Sequence, residues 1–136
     1  MELSRHPFYL FDLDEHASLL SFIWSETSVD MTDDDYKQAL REYARLTVKH
    51  RTRRALVDLR KFQHRLGDAD GLGTWWADEI VPQYHRAGLE KFAFVLPAGV
   101  PAPPDDAPAT AETGQKFLNR QFGSAQAAIS WLTAGS

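Results

Sequence analysis

A short, uninterrupted apolar run at residues 55–59 (ALVDL) constrains the fold of this chain more than any other feature. A strand that is apolar on both faces must be covered on both faces, which is typical of a central strand in a parallel sheet. A second run of this kind follows at residues 92–96 (FAFVL), and the segment between the runs has helical features. Because parallel strands need a long crossover, usually a helix, the two runs predict an α/β protein.

The amino-terminal part of the chain predicts an antiparallel hairpin. Residues 8–13 (FYLFDL) are aromatic and branched, and residues 14–16 (DEH) suit a turn. Residues 18–24 (SLLSFIW) then alternate in character. We expect this hairpin to add an antiparallel edge to the sheet.

Three helices are predicted between and after the strands. Thr32 or Asp33 can cap the first, and Ser124 can cap the last. The second is expected from about Gly71, with Trp76 buried, and Pro82 should kink it or end it early. The apolar face of the first helix is predicted to comprise Tyr36, Ala39, Leu40, Tyr43, Leu46 and Thr47. The face of the last is predicted to comprise Ala125, Ala128, Ile129 and Leu132.

The predicted order is β-β-α-β-α-β-loop-β-α, a mostly parallel five-stranded sheet with an N-terminal antiparallel hairpin. Residues 117–122 supply the weaker fifth strand. Residues 97–114, rich in proline and alanine, are expected to form a mobile surface loop. No internal repeat is visible, so residues 1–136 are interpreted as one domain.

Composition excludes several classes of function. The chain has 136 residues, 43% hydrophobic and 25% charged, and a formal charge of −4, which argues against a nucleic-acid binder. It contains no cysteine, so disulfides, thiolate catalysis and zinc–thiolate sites are excluded. No signal peptide and no apolar run of membrane-spanning length are visible, and we expect a cytoplasmic protein without a membrane span.

Three stretches, taken in their order along the chain, resemble the SpoIIAA-like group of small bacterial proteins, which have a STAS-like domain. They are residues 56–60 (LVDLR), the pattern from Trp76 through residues 79–82 (EIVP) to 87–95 (AGLEKFAFV), and the pattern from 120–124 (RQFGS) to Leu132. The resemblance covers about residues 8–132. It implies a STAS-like fold and a non-enzymatic, regulatory role, in which a protein partner or a small ligand is bound.

The turn at residues 68–73 (DADGLG) resembles the phosphorylation element of anti-sigma-factor antagonists, Asp-Ser-x-Gly-Leu-Gly. Ala69 stands where the resemblance would place the phosphoacceptor serine, and a methyl group cannot accept phosphate. An EF-hand interpretation would place Asp68, Asp70 and Glu79 at ligand positions, but Leu72 offers no oxygen at the fifth position. A helix start capped by Asp68 or Asp70 is the simplest interpretation. No metal and no cofactor are predicted.

Ligands of open parallel sheets bind beyond the carboxyl ends of the strands. That rule brings together a predicted ligand- or partner-binding set, which is Arg60, His64, Asp68, Asp70 and Trp75. Because Asp68 and Asp70 would repel an anion, a neutral or cationic ligand or a protein surface is expected there. No catalytic residue is predicted, and a homodimer is possible.

Two alternatives stay open. In the first, the protein carries or senses an apolar, lipid-like molecule in a pocket between sheet and helices, lined by Trp24 and Trp75. In the second, it is an enzyme that uses His64 with Asp58 or Asp68 as a general base. The basic run at residues 49–54 (KHRTRR) is best explained as a solvated helix end that complements the helix dipole.

Overall fold

A computed structural model of the chain describes residues 1–63, 74–97 and 117–134, with the side chain of Ser4 excepted. The described strands are β1 (Glu2–His6), β2 (Tyr9–Asp14), β3 (Leu19–Trp24), β4 (Arg54–Asp58), β5 (Lys91–Val95) and β6 (Leu118–Phe122). The described helices are α1 (Asp33–His50), α2 (Val81–Ala87) and α3 (Ala125–Thr133), with a 3-10 turn at Glu26–Asp30 and a π turn at Trp76–Ile80.

The described strands form a single mixed sheet, in the order β1-β2-β3-β4-β5-β6. Strand β2 pairs antiparallel with both β1 and β3, and β3 to β6 pair parallel. The α/β class and the mostly parallel sheet are therefore confirmed. Within the described ranges, no helix combines the length and the apolar character needed to cross a bilayer.

The strand count predicted from the sequence is wrong, because β1 adds a sixth strand at the edge of the sheet. Leu3 is its only apolar side chain within Glu2–His6, so no hydrophobic alternation marks it. An edge strand can be held by backbone pairing rather than by burial on both faces. Here β1 pairs with β2, and the Met1 ammonium donates a hydrogen bond to the Leu13 carbonyl at 2.6 Å.

The two faces of the sheet are covered differently. On one face, α1 and the π turn with α2 pack over a large core that includes Phe22, Tyr43 and Tyr84. On the other face, α3 packs over a smaller core that includes Leu56 and Phe122. The main contacts of α3 run to β4, β5 and β6, and among the described residues of β1 to β3 only Leu19, at the start of β3, is buried in this smaller core.

Helix α1 begins as its sequence predicts. Thr32 is the N-cap, and its hydroxyl accepts a hydrogen bond from the Asp35 amide at 3.1 Å. The Asp35 carboxylate accepts one from the Thr32 amide at 3.1 Å, which completes a capping box. The helix ends at Arg51, which takes the left-handed conformation (φ 50°).

The second helical segment agrees with its prediction in part. It does not end at Pro82 but continues to Ala87, and a π turn at Trp76–Ile80, a common site of helix kinks, lies directly before the proline in the first turn of α2. A missing N–H costs little at that position. Trp76 is half-buried rather than buried. The π turn joins the Val81 amide to the Trp76 carbonyl, five residues apart, and Trp76 packs against the same core as the fully buried Ile80 without being fully covered.

Helix α3 confirms its predicted cap and part of its predicted face. The Ser124 hydroxyl accepts a hydrogen bond from the Ala127 amide at 3.2 Å. Ala128 and Leu132 are fully buried against the sheet, but Ile129 is 42% exposed. Ile129 follows Ala128 and points about 100° away from it around the helix, so its predicted burial is wrong.

Candidate functional site

An open cleft of about 730 Å³ lies at the carboxyl ends of β3 and β4. The turn between β1 and β2 forms one wall, with Arg5, His6 and Pro7. The segment that follows β4 forms the other wall, with Asp58, Arg60 and Lys61. This is the edge of the sheet where the sequence places ligand binding, and the cleft is the candidate site.

The floor of the cleft is a row of residues that face each other across neighbouring strands. Arg5 lies opposite Leu10, Leu10 opposite Ile23, and Ile23 opposite Asp58. Side chains directly opposite each other share a face of the sheet. The buried Leu56, two residues before Asp58, packs under α3, so the row lies on the α3 face. Leu10 and Ile23 stay half-buried because the main contacts of α3 are with β4 to β6.

Hydrogen bonds hold the β1–β2 wall in place. The Ser25 amide donates to the Phe8 carbonyl at 3.0 Å, and the Thr27 hydroxyl donates to the Pro7 carbonyl at 2.5 Å. The His6 ring stacks on Tyr9, with ring centroids 4.5 Å apart. The turn is therefore tied to the end of β3 by several contacts, and the wall is part of the fold rather than a free loop.

The opposite wall is built on an ion pair between neighbours in sequence. Asp58 is buried at the end of β4, and both of its carboxylate oxygens accept hydrogen bonds from the Arg60 guanidinium, the shortest at 2.6 Å. The Arg60 amide also donates to Asp58 Oδ1 at 3.0 Å. These bonds raise the pKa of Arg60. The pair fixes the chain direction as β4 leaves the sheet, and it neutralises a buried charge.

The remaining cations of the cleft differ in how they are paired. Arg5 Nε donates to Glu2 Oε1 at 2.7 Å, an exposed contact that lowers the pKa of Glu2. Lys61 is exposed and makes no ion pair among the described residues. With Arg60 balanced by Asp58, the described walls of the cleft carry an excess of positive charge.

Trp75 lies outside the described cleft lining, although the sequence groups it with Arg60. Its ring is contacted by two cations of α1, with Lys37 Nζ at 5.5 Å and the Arg41 guanidinium carbon at 5.4 Å from the ring centroid. Arg41 also pairs with Glu79 at 2.7 Å, and this hydrogen bond lowers the pKa of the Glu79 carboxyl. Trp75 thus joins α1 to the π turn.

Of the predicted site set, Arg60 lines the cleft and Trp75 packs against α1. His64, Asp68 and Asp70 lie outside the described residues, as does most of the proline-rich stretch at 97–114. The calcium-loop and phosphorylation interpretations of residues 68–73 therefore stay predictions. Among the described residues, no three His, Asp or Glu side chains are placed to hold a metal ion.

Sequence reasoning missed the amino-terminal half of the cleft. Arg5, His6 and Pro7 reach the site only because β1 pairs with β2, and β1 has no apolar alternation to reveal it. The predicted site set also omits Lys61, which directly follows Arg60. Its position, just beyond the carboxyl end of a central strand, is the sequence feature that indicates it.

The basic run at residues 49–54 lies away from this site. Lys49 and His50 form the last turn of α1, and Arg54 begins β4. These positions are at the amino ends of the parallel strands, whereas the cleft is at their carboxyl ends.

No protein-family model, curated protein or solved structure matches this chain.

Proposed function

We propose that this protein is a non-enzymatic, STAS-like binding domain, and that the cleft between the β1–β2 turn and the end of β4 receives its ligand. One observation carries the proposal: an open cleft of about 730 Å³ at the carboxyl edge of a mostly parallel sheet. Its size is within the range typical of small-molecule sites. The location is that of ligand sites in open α/β sheets.

The pairing of Asp58 supports a binding role over an enzymatic one. A general base needs a carboxylate or imidazole that is free to reach a substrate proton. Both Asp58 oxygens instead accept hydrogen bonds from Arg60. The enzyme alternative would then depend on His64 and Asp68, outside the described residues.

The lipid-carrier alternative draws support from the apolar part of the cleft. Trp24, Leu10 and Ile23 all line it. Trp75, the second aromatic residue expected in such a pocket, packs between α1 and the π turn instead. The aromatic contacts of Trp24 with Tyr36 and Phe62 fill the space between sheet and helix at this point.

A pair of matched substitutions tests the proposed function. Ile23→Trp fills the floor of the cleft, whereas Ile129→Trp adds the same bulk on the exposed face of α3. In amide NMR titrations with a set of anionic, neutral and cationic small molecules, we expect ligands to shift the cleft amides. Ile23→Trp should remove the shifts, and Ile129→Trp should leave them.

The proposal is overturned if no class of molecule shifts the cleft amides, or if both variants bind alike. Turnover by the unmodified protein in a hydrolase and transferase panel, abolished in a folded His64→Ala variant, would establish the enzyme alternative instead.

A further inference from the structure

We propose that the cleft recognises a small organic monoanion, a carboxylate joined to an apolar or aromatic body. This inference rests on the proposed function, and it adds the ligand class. It departs from the neutral or cationic ligand expected from Asp68 and Asp70, because the described walls of the cleft are positively charged.

The expected charge of the ligand follows from which charged side chains of the cleft already have an ionic partner. Asp58 cancels Arg60 through bonds as short as 2.6 Å. Arg5 keeps most of its guanidinium N–H groups available, because Glu2 takes only its Nε–H. Lys61 has no ionic partner among the described residues. Lys61, which has no ionic partner among the described residues, and the partly engaged Arg5 suit a ligand with one negative charge better than a ligand with two.

The placement of these cations gives the ligand its polarity. Arg5 is on the β1–β2 wall and Lys61 on the β4 wall, with Leu10 and Ile23 as the floor between them. A carboxylate held at the charged rim would therefore leave its body over an apolar floor. Burial of that body contributes about 25 cal/mol per Å² of apolar surface removed from water.

A free phosphate fits these walls less well. Phosphate sites typically use several backbone N–H groups at a helix terminus or a glycine-rich turn. The helical turn that begins at the cleft, Glu26–Asp30, has only five residues, and the amide of its N-cap Ser25 already donates to the Phe8 carbonyl. Helix α1 begins farther along the chain, at Thr32, where a capping box engages its first amides. Leu10 and Ile23 offer nothing to a phosphate, which has no apolar part.

The test compares four probes with matched charge and shape: 4-phenylbutyrate, its neutral amide, 4-phenylbutylamine and inorganic phosphate. Each is titrated into the full chain at low salt and followed by amide NMR shifts at the cleft. We expect 4-phenylbutyrate to bind most tightly, the amide more weakly, and the amine and phosphate least. Added salt should appreciably weaken the binding of the carboxylate but not that of the other probes.

Lys61→Gln tests the contribution of charge, and Lys49→Gln is its matched control, in the last turn of α1 and away from the cleft. Lys61→Gln should lower the affinity for 4-phenylbutyrate about 2- to 5-fold, the range expected for loss of an exposed ion pair. It should leave the affinity for the amide unchanged. Lys49→Gln should change neither. Both residues are exposed, so both variants are expected to fold.

The outcomes separate this inference from the proposed function. The monoanion inference is wrong if the amide, the amine or phosphate binds in the cleft at least as tightly as the carboxylate. It is also wrong if the two lysine variants bind the carboxylate equally well. In both cases the cleft would still be a small-molecule site, as the proposed function requires. If none of the four probes shifts the cleft amides, the monoanion inference fails, whereas the proposed function fails only if the wider ligand set also leaves these amides unshifted.

Discussion

Arg60 folds back onto Asp58, two residues earlier in the chain, and donates hydrogen bonds to both oxygens of that buried carboxylate. The two partners differ in exposure, with side chains 54% and 8% exposed. The pair is therefore intermediate between a surface ion pair and a buried one, and removal of its exposed member leaves the buried member without a partner.

Arg60→Ala should destabilise the protein by about 1–2 kcal/mol, between the ~0–1 kcal/mol of surface pairs and the ~3–5 kcal/mol of broken buried pairs. Urea denaturation measures the change. Arg45→Ala is the control, since its pair with Glu42 is exposed on both sides and should cost under about 0.5 kcal/mol.

The double variant Asp58→Asn with Arg60→Ala should recover part of that loss, because a neutral amide is less costly to bury unpaired than a carboxylate. A double variant no more stable than Arg60→Ala alone would argue against charge burial as the cause.

Thr32→Ala should destabilise the protein by about 1 kcal/mol, because it removes one half of the capping box at the start of α1. Thr32→Ser keeps the hydroxyl and should retain most of the stability. The comparison is made by chemical denaturation, and equal stability of the two variants would show that the cap contributes nothing measurable.

Alkaline pH should destabilise the protein through two buried tyrosines. Burial raises the pKa of Tyr43 and of Tyr84 above the ordinary tyrosine value. Because these pKa values are higher in the folded state, their contribution to stability is fully present below about pH 10 and is lost as the pH rises above it. Unfolding midpoints in urea should therefore fall from about pH 10 upward.

Tyrosinate absorbance at alkaline pH provides the direct readout. Burial also raises the pKa of the other two tyrosines, Tyr9 and Tyr36. Absorbance should therefore rise late, together with loss of the circular dichroism signal. A full tyrosinate signal near pH 10 in a folded protein would contradict the burial of Tyr43 and Tyr84.

Two apolar residues on α3 should respond very differently to truncation. Leu132→Ala should cost about 2–5 kcal/mol, because Leu132 is fully buried in the smaller core. Ile129→Ala should cost under about 0.5 kcal/mol, because Ile129 is 42% exposed and packs little. Thermal or urea unfolding of the two variants measures the difference, and similar losses would mean that Ile129 is covered in solution.

Local patterns predicted the elements that are marked by burial or by caps. The apolar runs around Val57 and Phe94 became the central strands, and Thr32 and Ser124 became helix caps. These signals are local, because a strand buried on both faces and a capped helix start need particular residue types at particular positions. The rule for carboxyl strand ends also placed Arg60 at the cleft.

What the sequence missed depends on contacts between distant segments. Arg5 joins the cleft through pairing of β1 with β2, which leaves no hydrophobic signature at an edge. The spacing of Ile129 favours a buried face, but Ile129 points about 100° away from the buried Ala128 around the helix and is 42% exposed. Trp76 packs against the expected core but is only half-buried, and the sequence pattern does not reveal the π turn in which it lies.

The order of the strands in the sheet has a consequence for how the protein is assembled. Each described strand after β1 lies beside the strand that precedes it in sequence, so no strand must wait for a later one to find its place. The described residues that line the cleft lie between Arg5 and Lys61. During synthesis, the chain that carries the binding surface leaves the ribosome before the segments that complete the far side of the sheet, so the strands that build the cleft can pair first.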